Sequence, residues 1–123
     1  MGDYLMSLIK ANDIQNASGG IPTVKSQQLI PTAWVNFDGS GTVAILDSEN
    51  VSSITDISTG TYEVNFTTTM ANANYAAVST TSTSRYNSSS GSHTTTKFKT
   101  MIKNGAAVTS DAAVSAMVMG GQA

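Results

Sequence analysis

Cysteine is absent from this 123-residue chain, and histidine occurs once, at His93. The first absence excludes a disulfide staple, and the two together exclude an ordinary zinc site of thiolates and imidazoles. Charged side chains are also scarce, at 11% of residues with a net charge of −2. A general nucleic-acid binder, which works by neutralising phosphates with lysine and arginine, is therefore not expected. The apolar run at residues 4–9, YLMSLI, is far too short to span a bilayer. It follows Asp3, where a secretory signal would carry positive charge. The expectation is a protein made and assembled in a cytoplasm, with no membrane insertion.

Serine and threonine are abundant instead, at 34 of 123 positions. Threonine favours pleated surfaces and disfavours helices, so the composition points to an all-β chain. The length suits one domain, with room for a single core. Small domains bury only about two thirds of their unfolded-chain surface. With no disulfide or metal to help, oligomerisation is the reinforcement that remains.

The stretch at residues 31–45, PTAWVNFDGSGTVAI, holds the only tryptophan, Trp34, beside Val35 and Phe37. An alternating run, a break at Asp38-Gly39-Ser40-Gly41 and a second alternating run predict two strands joined by a tight turn. This stretch, with NVSSITD at 50–56, GTYEVNFTT at 60–68 and MANANYAAV at 70–78, resembles a module of tailed-bacteriophage fibre and related virion proteins. The resemblance covers about 45 residues in the middle of the chain and none of the rest. It implies a trimeric, non-enzymatic virion appendage, associated with other proteins of the tail or capsid and involved in host attachment.

Along the chain, DYLMSLIKANDIQN at 3–16 places Leu5, Leu8 and Ile9 on one helical face, with Asp3 as the N-cap. Such a helix is too short to stand alone and is expected to dock, which makes these three residues the candidates for particle anchoring. Ser18-Gly19-Gly20 predicts a flexible joint. Residues 21–32 carry a proline near each end, Pro22 and Pro31, and read as an extended arm or edge strand that either covers its own domain or reaches a neighbour. The expected organisation is an anchoring helix or arm over 1–32 and an antiparallel β-sandwich over 33–123.

Strands are expected near 33–37, 42–47 and 50–55, then a turn at 56–60. Tyr62, Val64 and Phe66 alternate with polar neighbours, a pattern buried on one side. A hairpin through 70–73 should pair this strand with 74–78. Residues 79–96 hold 13 serines and threonines in 18 and predict either a long excursion from the sheet or, as threonine favours, a polar hairpin tipped at 87–91. A strand follows at 94–103, and Asn104-Gly105 signals a type I′ turn into further strands from Ala106. The run at 112–119 is apolar on both faces and belongs in the middle of a sandwich or at a subunit boundary. Val114, Ala116, Met117, Val118 and Met119 are accordingly the candidate interface residues.

Charge is segregated as well. Residues 33–78 carry five acids (Asp38, Asp47, Glu49, Asp56, Glu63) and no base, while residues 79–103 carry four bases (Arg85, Lys97, Lys99, Lys103) and no acid. Either neighbouring strands of one chain pair these charges, or the acidic part of one subunit faces the basic part of the next.

Catalytic patterns are poor. His93 has no adjacent acid, and no serine stands in a nucleophile elbow. Asp47 and Glu49, two apart, read as a solvated edge rather than a glycosidase pair. The Asp38 loop lacks the alternating ligands and closing glutamate of a calcium loop. Neither Gly-Gly pair precedes the lysine of a phosphate loop. No enzyme, cofactor or metal is expected. Arg85, Tyr86, Asn87 and His93 form a candidate contact set for a host surface glycan. The sequence thus leads to a virion appendage, with a capsid decoration or head-fibre protein and a stand-alone carbohydrate-binding module as alternatives.

Overall fold

The computed structural model describes residues 8–23, 29–82 and 84–122. The chain divides into two units, Met1–Ile30 and Pro31–Ala123. The second is all-β: β1 (Ala33–Asp38), β2 (Ala44–Glu49), β3 (Val51–Ser58), β4 (Thr61–Phe66), β5 (Tyr75–Thr81), β6 (Arg85–Gly91), β7 (Lys97–Asn104) and β8 (Ala113–Gly120). They form two antiparallel sheets, one ordered β2-β1-β8-β5 and the other β3-β4-β7-β6. The expected antiparallel sandwich is the fold that the chain adopts.

Period-two alternation explains the core. Ala33, Val35 and Phe37 of β1 face inward, as do Tyr62, Val64 and Phe66 of β4, Phe98 and Ile102 of β7, and Val114, Ala116 and Val118 of β8. Phe37 meets Tyr62 edge to face across the sheets, with ring centroids 5.2 Å apart. Phe66 likewise meets Tyr75 at 5.6 Å. Burying these rings, at roughly 1.5–3 kcal/mol for each large apolar side chain, is what holds the two sheets together.

Several connections differ from expectation. The strands at 61–66 and 75–81 do not form a hairpin, because β4 lies in one sheet and β5 in the other. Residues 79–96 are no excursion either. The chain completes β5, crosses between sheets and pairs as β6 along β7, so 87–91 is strand rather than tip. After β7, Asn104 closes a wider turn in which its side chain accepts from the Ala106 and Val108 N–H groups. The last strand begins at Ala113, in the opposite sheet. Period-two patterning tells which face of a strand is buried; it does not tell which sheet the strand joins.

The crossings carry their own signals. Asn50, between β2 and β3, has φ 55°, and Ser84, between β5 and β6, has φ 40°. Asparagine tolerates this left-handed conformation comparatively well. Asn50 also clamps its surroundings: its Nδ2 donates to the Thr32 carbonyl at 3.1 Å and its Oδ1 accepts from Thr68 N at 2.7 Å.

In the first unit no helix forms among the described residues 8–16, which include Leu8 and Ile9; Leu5 lies outside the described residues. The predicted joint at 18–20 is a closed turn instead. Asn16 Oδ1 accepts from Ser18 N and Gly20 N, each at 2.9 Å, and Asn16 N donates to the Gly20 carbonyl. Asparagine competes for local backbone donors in this way, which works against helix propagation. Of the predicted arm, residues 24–28 lie outside the described residues, and 21–23 and 29–32 belong to no strand.

Candidate functional site

The sandwich gathers its bases in one sheet, where Asp56 and Glu63 also lie. In the β2-β1-β8-β5 sheet, the strands carry Asp38, Asp47 and Glu49 and no basic residue. All four bases of residues 31–123 lie in the other sheet, Arg85 on β6 and Lys97, Lys99 and Lys103 on β7. Only one described ion pair joins opposite signs: Lys97 Nζ donates to Glu63 Oε2 at 2.7 Å, across β7 and β4. A pair this exposed contributes about 0–1 kcal/mol.

The four residues expected at a hairpin tip do not converge. Arg85 opens β6 and donates from Nε to Ser110 Oγ at 2.9 Å. Tyr86 is exposed and stands opposite Lys103. Asn87, next in the strand, turns inward and donates from Nδ2 to Ser79 Oγ and, at 2.6 Å, to Thr100 Oγ1. His93 lies beyond the end of β6 and stacks on Tyr75 with ring centroids 4.7 Å apart. Alternation sends adjacent strand residues to opposite faces, so 86 and 87 cannot share a surface site. Asn87 is structural, and of the four only Arg85 and Tyr86 are exposed.

The five candidate interface residues also separate. Val114, Ala116 and Val118 are consumed by the subunit's own core, Met117 is exposed and Met119 half-buried. The run looks apolar on both faces because three of its outward positions are Ala113, Met117 and Met119, with only Ser115 polar.

One polar cluster has no counterpart among the expected sites. The Tyr62 hydroxyl, inside the sandwich, lies 3.0 Å from both the Gly39 carbonyl and Asp111 Oδ1. The same carboxylate oxygen accepts from Gly60 N at 2.7 Å. Burial, reinforced by the bond to Asp111, pushes the Tyr62 hydroxyl far above its usual titration range. The hydroxyl so placed ties together the Gly39, Gly60 and Asp111 segments. A buried tyrosine needs a partner for its hydroxyl, and Asp111 is the only acid after Glu63, which is the one sequence signal that could have joined them.

Asp47 and Glu49 are both exposed on β2. No grouping of three or more histidine, cysteine or acidic residues able to hold a metal occurs among the described residues. Residues 38–42 form a turn in which Asp38 Oδ1 accepts from Ser40 N at 2.8 Å. These features define the class, an eight-stranded antiparallel sandwich whose polar interior groups serve the fold. No family model, curated protein or solved structure matches the chain.

Proposed function

We propose that this chain is a structural protein of a bacteriophage virion, a fibre-like appendage that contributes to host attachment as a homo-oligomer, with trimers expected. Residues 1–32, through Leu5, Leu8 and Ile9, would hold it to other virion proteins. The sandwich would face the host.

The observation that carries this reading is the resemblance of residues 31–78 to appendage modules. Its segments supply β1 and β4, most of β3, the first half of β5 and the start of β2. They also supply the rings that pack the core, Phe37, Tyr62, Phe66 and Tyr75, and the outward Trp34. A module recognised by these residues is therefore recognised by what builds the sandwich. Tyr86 is the exposed candidate for contact with a surface glycan, its ring offering a flat apolar face.

Labelled antibody against the chain, imaged on purified particles, tests the reading. Label on tails supports it, label on tail-less heads makes the chain a decoration or head-fibre protein, and absence from particles rejects both. Free protein that binds sugar and is found apart from particles would favour a carbohydrate-binding module. Deleting residues 1–20 should abolish incorporation.

A further inference from the structure

On the outward face of the β2-β1-β8-β5 sheet, apolar side chains cross three strands in register. Trp34 stands opposite Met117, and Met117 opposite Val78. These side chains are 37%, 41% and 60% exposed. Ala76 and Met119 form the adjoining pair along the strands. Val78, Thr80, Ser115 and Met117 border a shallow groove of about 270 Å³. A large apolar row that includes the only tryptophan marks a surface meant to leave water, because aromatic and methionine side chains concentrate at interface cores.

Charge indicates what covers it. The two margins of the sandwich differ in sign. Where β2 lies against β3, the exposed charges are Asp47, Glu49 and Asp56. Where β5 lies against β6, Arg85 is exposed, with Lys103 of β7 adjoining Tyr86. Two acidic margins repel and two basic margins repel, whereas unlike margins attract, so like-to-like joining is disfavoured and head-to-tail joining favoured. Both margins end in edge strands with unpaired backbone groups, which a neighbour could satisfy.

We propose that copies of this chain join head to tail in a closed ring, the β2–β3 margin of one against the β5–β6 margin of the next. The Trp34–Met117–Val78 row faces the ring axis. Head-to-tail contacts either close or grow into filaments, and turning one apolar face toward a common axis is the arrangement that closes. This inference rests on the homo-oligomeric part of the proposed function and names the surfaces that build it.

Light scattering on the full chain at micromolar concentration, after size-exclusion chromatography, is the test. The wild type should show one species at a whole multiple of 12.7 kDa. Val78→Glu and Met117→Glu, at exposed positions, should keep the wild-type circular dichroism and run as monomers. Arg85→Glu and Glu49→Lys should each raise the dissociation constant roughly tenfold, and the double variant should recover most of that loss. A wild-type monomer, including one whose face is covered by its own residues 1–30, overturns the ring. So does a Met117→Glu variant of unchanged mass, or a double variant no tighter than either single one. Particle labelling is independent of these results. A monomer found on particles removes the ring and keeps the appendage, and a ring-forming protein absent from particles does the reverse.

Discussion

Tyr62 and Asp111 meet inside the sandwich, where the phenol near the start of β4 lies 3.0 Å from a carboxylate in the segment that carries the chain from β7 to β8. The bond fastens a strand of one sheet to the connection that enters the other. Replacing Tyr62 by phenylalanine should cost about 1–3 kcal/mol in urea unfolding at neutral pH, since the Asp111 and Gly39 oxygens lose a buried donor.

The same residue sets an alkaline limit. Folding raises the Tyr62 hydroxyl above its ordinary 10.0, and burial moves Tyr75 in the same direction. Below that ordinary value both states hold the proton and stability is unaffected. Above it the unfolded chain releases the proton while the folded chain keeps it, so stability falls as pH rises. Unfolding free energy should therefore decline between about pH 10 and 12. The Tyr62→Phe variant should decline less steeply, with a residual slope from Tyr75. Identical slopes would show that Tyr62 titrates normally.

Gly60 and Gly41 offer a controlled comparison of backbone strain and crowding. Their φ values are 70° and 65°. A Cβ on Gly60 would lie 2.6 Å from Ser110 N and 2.7 Å from the Ile102 carbonyl, whereas one on Gly41 would meet nothing within 4 Å. Gly41→Ala should cost about 1 kcal/mol, from conformation alone. Gly60→Ala should cost at least twice that, because the turn must also move away from Ser110 and Ile102. Equal losses in chemical denaturation would show that the 109–111 segment yields freely.

Asn87 and Tyr86 are neighbours with opposite duties. Asn87 bridges β6 to Ser79 of β5 and Thr100 of β7, and Thr100 is fully buried. Asn87→Ala should destabilise by about 1–3 kcal/mol, whereas Tyr86→Ala, at an exposed position, should stay within about 0.5 kcal/mol. Thermal melts of the two variants check this. The reverse order would place Asn87 at the surface and Tyr86 in the fold.

His93 carries a liability. Its Nε2 is enclosed and finds no hydrogen-bond partner among the described residues, while the ring stacks on Tyr75 and meets Phe98 edge-on at 6.3 Å. Phenylalanine at 93 keeps the stack and removes the orphan atom, so His93→Phe should stabilise by about 0.5–1.5 kcal/mol. A loss of stability would show that Nε2 is satisfied in solution.

Much of the fold was legible from local chemistry. Valine, phenylalanine and tyrosine at alternate positions marked the inward faces of β1 and β4, and Phe98 and Ile102 those of β7, because a strand has only two faces and one of them must leave water. Asp38, Gly39 and Gly41 marked a turn for an equally local reason. The candidate contact set failed because Arg85, Tyr86, Asn87 and His93 were grouped by nearness in sequence, whereas strand alternation turns Asn87 inward and His93 lies past the end of β6, stacked on Tyr75.

What the residues determined by themselves was class and patterning: an all-β chain without disulfides, its charges segregated in order along the sequence. Only the tertiary structure decided that all four bases of residues 31–123 share a sheet with Asp56 and Glu63 while Asp38, Asp47 and Glu49 lie in the other, that β1 and β8 lie side by side at the centre of that other sheet, and that Tyr62 finds Asp111. Side-chain periodicity is a property of neighbours along the chain, but pairing between distant strands depends on which whole arrangement buries the most rings and leaves the fewest polar groups alone. That choice is made by all the strands at once.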